Sequence, residues 1–252
     1  MKEGERMKVR NQIEFKVTAK NALFSDPITR ASGEKFSYQI PTYEALKGVV
    51  KSIYFKPTIT WIVDEVRVMK PIQFTSKGIR PINYSGGNTL SYYTYLCDVE
   101  YQVRAHFEWN LNHPELEYDR NEHKHYLIAK RMISRGGRRD VYLGTRECQA
   151  YVEPCEFGEG LGYYDDQETY PFSTMVHGLV YPDEYSVDEE KDKLVATFWT
   201  PVMKKGVIKF IRPDECTLRR VVGKGRIKMF GKDSITSCIE LAKEGDISEL
   251  GE

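Results

Sequence analysis

The stretch DRNEHKHYLIAKRMISRGGRRDVYLGTREC, residues 119–148, decides how the chain is built. Asp119 to Glu122 has the D-x-x-E spacing of a helix start, where side-chain oxygens cap free backbone N–H groups. Ile128, Ala129 and Met132 then recur at helical spacing with Leu127 beside them, which predicts a helix over 124–135. Gly136-Gly137 stops it, because glycine enters the left-handed conformation that closes helices. Val141–Leu143 and Ala150–Phe157 read as strands.

Upstream of it, Tyr92 to Trp109 places Val99, Tyr101, Val103, Ala105, Phe107 and Trp109 on one face, the period of a long central strand. Gln12–Thr18 alternates in the same way, and Ile59–Met69 is a β-branched strand. Pro41-Thr42 opens a helix carrying Ala45, Leu46, Val49, Val50 and Ile53 on one side, ended by Lys56-Pro57. Residues 70–90, with Gly78, Pro81 and Gly86-Gly87, read as a loop or irregular hairpin. The order strand, helix, strand, strand, helix, strand predicts an α+β chain with a ferredoxin-like (RRM-like) βαββαβ domain. That fold serves many functions, so the pattern assigns none.

The expected division is a flexible tail over 1–8, the ferredoxin-like domain with inserted loops over 9–180, a small antiparallel β-rich region over 181–232, and an acidic tail over 233–252. Within it, residues 158–192 are acidic and rich in Gly, Tyr and Asp, and read as a surface connection with little regular structure.

The chain has 252 residues, formal net charge +0 and 40% hydrophobic residues, which excludes disorder and bulk polyanion binding by net charge. Its five cysteines are widely spaced without a CxxC pair, so reduced thiols in a cytoplasmic protein are expected, with no metal site and no cofactor. The charged start predicts no signal peptide, and no run approaches the ~18 apolar residues of a membrane span.

Charge is segregated instead. Residues 120–148 hold eight Lys/Arg against three acids, with His123 and His125 flanking Lys124. Residues 202–232 form a second basic region. Cleaving RNA without a metal needs a base for the 2′-hydroxyl, an acid for the departing oxygen and a cation for the phosphorane. His125 and Lys124 lie in the first turn of the predicted helix, where free N–H groups also favour phosphate. A histidine at a helix start is nevertheless more often structural, and basic residues on helices are usually just solvated. From the residues alone the reading stops at an RNA-binding domain, with a nuclease as one option.

Longer segments carry a resemblance. ALFSDPITRASGEKFSYQIPTYEALKG (22–48), IYFKPT (53–58), GIRPINYSGGNTLSYYTYL (78–96), DRNEHKH (119–125), RGGRRDVYLGTREC (135–148) and TMVHGLVYPDE (174–184) resemble the CRISPR-associated Cas-five family, d variant, of type I-C (Dvulg) systems. The resemblance implies metal-independent cleavage of precursor CRISPR RNA 3′ of the repeat hairpin, leaving a 2′,3′-cyclic phosphate and a 5′-hydroxyl. It also implies retention on the crRNA 5′ handle beside the backbone and large subunits of the type I-C Cascade. The alternative is a non-catalytic RNA-binding and assembly subunit capping that end. The family's catalytic residues fall on Tyr54, Lys124 and His125. The roles expected are proton transfer for His125, phosphorane charge for Lys124, and orientation or protonation for Tyr54.

One tension accompanies this set. The two helices are expected to run side by side in the same sense, which would put Tyr54, late in the first, far from the start of the second, with Tyr43 nearer. RNA contacts are expected from Lys47, Lys51, Arg131, Arg135, Arg138, Arg139 and Arg146, with weak DNA binding from the same basic surface.

Overall fold

The computed structural model describes residues 11–227 and residue 229. In chain order its elements are β1 (Gln12–Ala22), β2 (Lys35–Phe36), α1 (Tyr43–Ile53), β3 (Ile59–Val68), β4 (Phe74–Ile79), β5 (Ser91–Trp109) and α2 (Glu122–Ser134). These are followed by β6 (Val141–Tyr142), β7 (Gln149–Pro154), β8 (Tyr170–Pro171), β9 (Met175–Val180), β10 (Lys193–Trp199), β11 (Val202–Lys204), β12 (Val207–Lys209) and β13 (Leu218–Lys224). The architecture is α+β, with mostly antiparallel sheets and few helices.

β5 is the spine. It pairs antiparallel with β1 on one side and β3 on the other, and its first half also carries β4 and, in parallel, β2. The large sheet runs β6-β7-β1-β5-β3-β12-β11-β8, and β13-β10-β9 form a second, three-stranded sheet. Alternation explains the core: Ile13, Phe15 and Val17 of β1 and Val103, Ala105 and Phe107 of β5 all point to the buried face. Even-numbered residues of β1 and of the second half of β5 form a polar face, where Arg104 bridges Glu14 at 3.0 Å and, past a register shift in β3, Glu65 at 2.6 Å.

α1 covers the buried face with Leu46, Val49, Val50 and Ile53, each worth about 1.5–3 kcal/mol as a fully buried side chain. Thr42 caps it, accepting from the Ala45 N–H at 3.1 Å. α2 buries His125, Ala129 and Ile133, an i, i+4, i+8 stripe, whereas Ile128 and Met132 are only partly buried. The cap of α2 is Asn121, whose side chain accepts from the Lys124 N–H, so Asp119 is released from the capping role expected of it. Gly136 and Gly137 do stop the helix, at φ 79° and 114°.

The stretch 158–192 is more structured than expected. It supplies β8 and β9, and Tyr164, Phe172, Met175, His177 and Val180 are buried. The reason is local: an apolar six-residue strand is hidden between acidic flanks, and Gly178 lets it approach α1, where an added Cβ would meet Glu44 Oε2 at 3.1 Å. The chain also crosses the expected boundary at 180: β9 joins β10, and β12 returns to pair with β3 of the large sheet. The tails expected at 1–8 and 233–252 lie outside the described residues.

Candidate active site

Strand pairing sets where the helices end. β1 and β3 run one way and β5 the other, so α1 and α2 cross the sheet in opposite senses. The expected parallel sense was therefore wrong, and with it the expected remoteness of Tyr54. Tyr43 instead stacks on His177, with ring centroids 4.4 Å apart.

Tyr54 is the C-cap of α1, in extended conformation. Its N–H donates to the Val50 carbonyl at 2.9 Å, and its carbonyl accepts from Trp61 Nε1 at 2.7 Å. So held, its hydroxyl reaches Nδ1 of His125 at 2.7 Å. The other imidazole nitrogen, Nε2, lies 2.8 Å from the Asp119 carbonyl oxygen. A carbonyl can only accept, so Nε2 carries the proton, Nδ1 is the lone-pair nitrogen, and Tyr54 donates to it.

The rings of Tyr54, Phe107 and Trp109 surround His125 at centroid distances of 5.9, 6.0 and 5.7 Å. His125 is fully buried and Tyr54 is 3% exposed. Burial lowers the His125 pKa below the ordinary imidazole value despite the Asp119 contacts, which favour the charged form. Burial, with the nearby Asp119 charge, pushes the Tyr54 hydroxyl up to about 12. The resting state is neutral imidazole beside neutral phenol.

Lys124 stays 44% exposed and is ion-paired with Asp119. Thr58 Oγ1 donates to the other Asp119 carboxylate oxygen at 2.9 Å. Burial opposes ionisation of that carboxylate, but the Lys124 and Thr58 hydrogen bonds outweigh it and its pKa is lowered. Of the three residues expected to act together, Tyr54 and His125 are in direct contact, and Lys124 is joined to His125 through Asp119. Asp119 and Thr58 complete the set and were not singled out from the sequence. The DRNEHKH segment already held Asp119, but its cap-like spacing gave it another explanation.

The basic residues divide. Arg131, Arg135, Arg138, Arg139 and Arg146 are exposed. Arg138 and Arg139 close on the site: both backbone N–H groups donate to the Ser52 carbonyl at 3.2 Å, and the Arg138 guanidinium reaches the Phe55 carbonyl at 3.5 Å. Lys47 is not a surface cation. It is 3% exposed and paired with Glu184 at 2.5 Å and Glu44 at 3.5 Å, so it has no reach to RNA, and its role is to bind α1 to the 182–184 turn. Lys51 shares Glu184 at 2.7 Å and is partly buried. His123 is exposed.

Among the described residues, no group of three or more His, Cys, Asp or Glu side chains is arranged to hold a metal ion, and no helix is long and apolar enough to cross a membrane. The four described cysteines are free thiols.

The sequence model of the family described as CRISPR-associated protein (Cas_Cas5), Cas_Cas5d, matches residues 12–211, most of the chain. A relative from Mannheimia succiniciproducens, the CRISPR pre-crRNA endoribonuclease Cas5d, is 26% identical over 192 residues, covering 66% of this chain and 78% of its own. Two solved structures share the fold. The functionally uncharacterized protein SMU1763c from Streptococcus mutans is 36% identical, with TM-score 0.68, covering 83% of this chain and 96% of its own. A CRISPR-associated protein is 34% identical, with TM-score 0.67 and the same coverage.

Proposed function

This chain belongs to the CRISPR-associated Cas5 family, in its Cas5d branch, and from that membership and the geometry around His125 we propose that it is an endoribonuclease cleaving precursor CRISPR RNA. The observation that carries the reading is the 2.7 Å contact between the Tyr54 hydroxyl and the lone-pair nitrogen of His125, with Lys124 tied to the same histidine through Asp119. Buried phenol and imidazole in that register form a proton path whose outer end is the Tyr54 oxygen. The 2′-hydroxyl gives its proton to Tyr54 as Tyr54 passes its own to Nδ1. The freed 2′-oxygen bonds to phosphorus, and the bond from phosphorus to the 5′-oxygen breaks, with the departing oxygen protonated from solvent. Lys124 faces the phosphorane charge. The products are a 2′,3′-cyclic phosphate and a 5′-hydroxyl, with the cut 3′ of the repeat hairpin.

Arg138 and Arg139 beside Tyr54, with Arg131, Arg135 and Arg146 further along, are the phosphate contacts of this reading. After cleavage the chain stays on the 5′ handle within a type I-C Cascade, next to its backbone and large subunits. Weak DNA binding is a secondary property of the same cations.

The enclosure of His125 favours a second reading, a non-catalytic subunit that caps the crRNA 5′ end, because RNA must move Tyr54 or its cover before reaching the pair. Incubating a repeat hairpin with the protein in EDTA separates the two. Cleavage by wild type, cyclic-phosphate ends and loss of cutting in His125→Ala support the nuclease. Tight binding without cleavage leaves only the assembly subunit.

A further inference from the structure

Three groups at the site converge on one residue that the catalytic set does not include. The Asp119 carbonyl takes the Nε2 proton of His125 at 2.8 Å. The Asp119 carboxylate pairs with Lys124, lies 3.7 Å from Nε2, and is anchored by the Thr58 hydroxyl at 2.9 Å. Thr58 is itself 1% exposed and fixed, its carbonyl accepting from the Asn110 N–H at 2.9 Å. The loop after α1 thereby holds the segment before α2, and one aspartate spans both reacting groups.

We propose that Asp119 is the positioning residue of this site: its carbonyl sets the His125 tautomer, and its carboxylate holds Lys124 in place and faces the imidazolium formed during the reaction. This rests on the reading of Tyr54, His125 and Lys124 as the reaction centre. The logic is that of a buried acid behind a catalytic histidine. Once Nδ1 has taken a proton, the imidazolium sits in an aromatic enclosure with little water, and the Asp119 carboxylate is the negative group at its far side. Among the described residues, the titratable and charged groups that bear most on this histidine are Tyr54, Asp119, Lys124 and Lys56, and the acid in this group is Asp119. Asp119 also keeps the Lys124 chain from wandering, so Lys124 meets the phosphorane without first being ordered.

The test uses the full chain and a repeat RNA hairpin in single-turnover cleavage across pH, with ¹⁵N imidazole NMR. Asp119→Asn keeps the carbonyl and removes the charge. Its maximal single-turnover rate should fall about 10- to 100-fold with the half-saturating protein concentration changed less than about threefold, and the acid limb of its rate profile should move to lower pH because the imidazolium has lost its counter-charge. Thr58→Val should act in the same direction more weakly, and it carries the test should Asp119→Asn fail to fold. In wild type the NMR should find His125 protonated on Nε2 and bare on Nδ1; the reverse tautomer overturns the proposal. A wild-type single-turnover rate and pH profile in both variants, with His125→Ala inactive, overturn it while leaving the reaction centre intact. Wild-type cleavage by His125→Ala and Tyr54→Phe removes the reaction centre itself, and the proposal with it.

Discussion

The hydroxyl of Tyr54 lies 2.7 Å from Nδ1 of His125 across 71 positions of chain, both side chains nearly sealed from solvent. Tyr54→Phe removes that hydroxyl and little else. It leaves a buried acceptor unpaired, which costs about 1–3 kcal/mol of stability. It also cuts the proton path, so the single-turnover cleavage rate should fall about 10²- to 10⁴-fold. Urea unfolding and single-turnover cleavage measure the two effects separately; a variant that loses stability but cleaves normally assigns the tyrosine a purely structural role.

Neutral imidazole is the working form, and burial depresses the His125 pKa. A depressed pKa keeps the base neutral to lower pH than a free histidine allows. The cleavage rate should therefore hold through neutrality and decline only below the ordinary imidazole value near ~6.5. Tyr54, pushed up to about 12, stays protonated across the same range and adds no limb there. A rate profile already falling as the pH drops from 8 to 7, measured with chemistry rate-limiting, contradicts this assignment.

Much of this site was legible in the chain, for identifiable reasons. β1 and the second half of β5 alternate, β3 is rich in β-branched residues, and α1 carries one apolar stripe, so local composition and periodicity revealed them. His125 shares its helical phase with Ala129 and Ile133, which marks it as inward-facing, but the basic residues around it hid that signal. The Tyr54–His125 contact depends on the relative sense of α1 and α2, which the strand order decides and no local pattern displays. Lys47 looked like a surface cation because its partner Glu184 lies 137 positions later. Met175–Val180 is apolar, but its acidic flanks masked the strand.

Arg138 and Arg139 hang on the Ser52 carbonyl beside Tyr54. As phosphate contacts they should contribute mainly counterion release. Replacing both with Ala should weaken repeat-RNA binding and flatten the slope of log K against log salt by about 1.4–1.8, two contacts at about 0.7–0.9 each. Filter binding from low to high salt measures it. An unchanged slope means the two guanidinium groups do not meet phosphate.

Lys47 and Glu184 form a buried pair joining α1 to the turn after β9. Lys47→Met takes one of the two lysines from Glu184 and leaves Lys51 on it, so it should cost less in urea unfolding than the ~3–5 kcal/mol of a wholly unpaired buried charge. At a temperature where both proteins are folded, repeat-RNA affinity and its salt slope should match wild type, because this cation does not reach the surface. A reduced salt slope would return Lys47 to the RNA contacts.

His177 supplies the clearest link between acidity and the join of the two sheets. It is fully buried, with Nε2 donating to the Ile211 carbonyl at 3.0 Å and Thr197 Oγ1 3.3 Å from Nδ1, stacked on Tyr43 and edge-on to Trp199. Burial, assisted by the Lys47 and Arg219 charges, lowers its pKa to about 4. The sign follows from linkage. The unfolded imidazole, near ~6.5, binds a proton that the folded one refuses, so folded stability is complete above that value and declines as pH falls towards 4. At pH ~5 the loss from this one group is about 2 kcal/mol. Urea midpoints at pH 7 and 5 should therefore drop further in wild type than in His177→Gln, which lowers stability at both values but removes the titrating group. Parallel drops in the two proteins would place the acid sensitivity in some other residue.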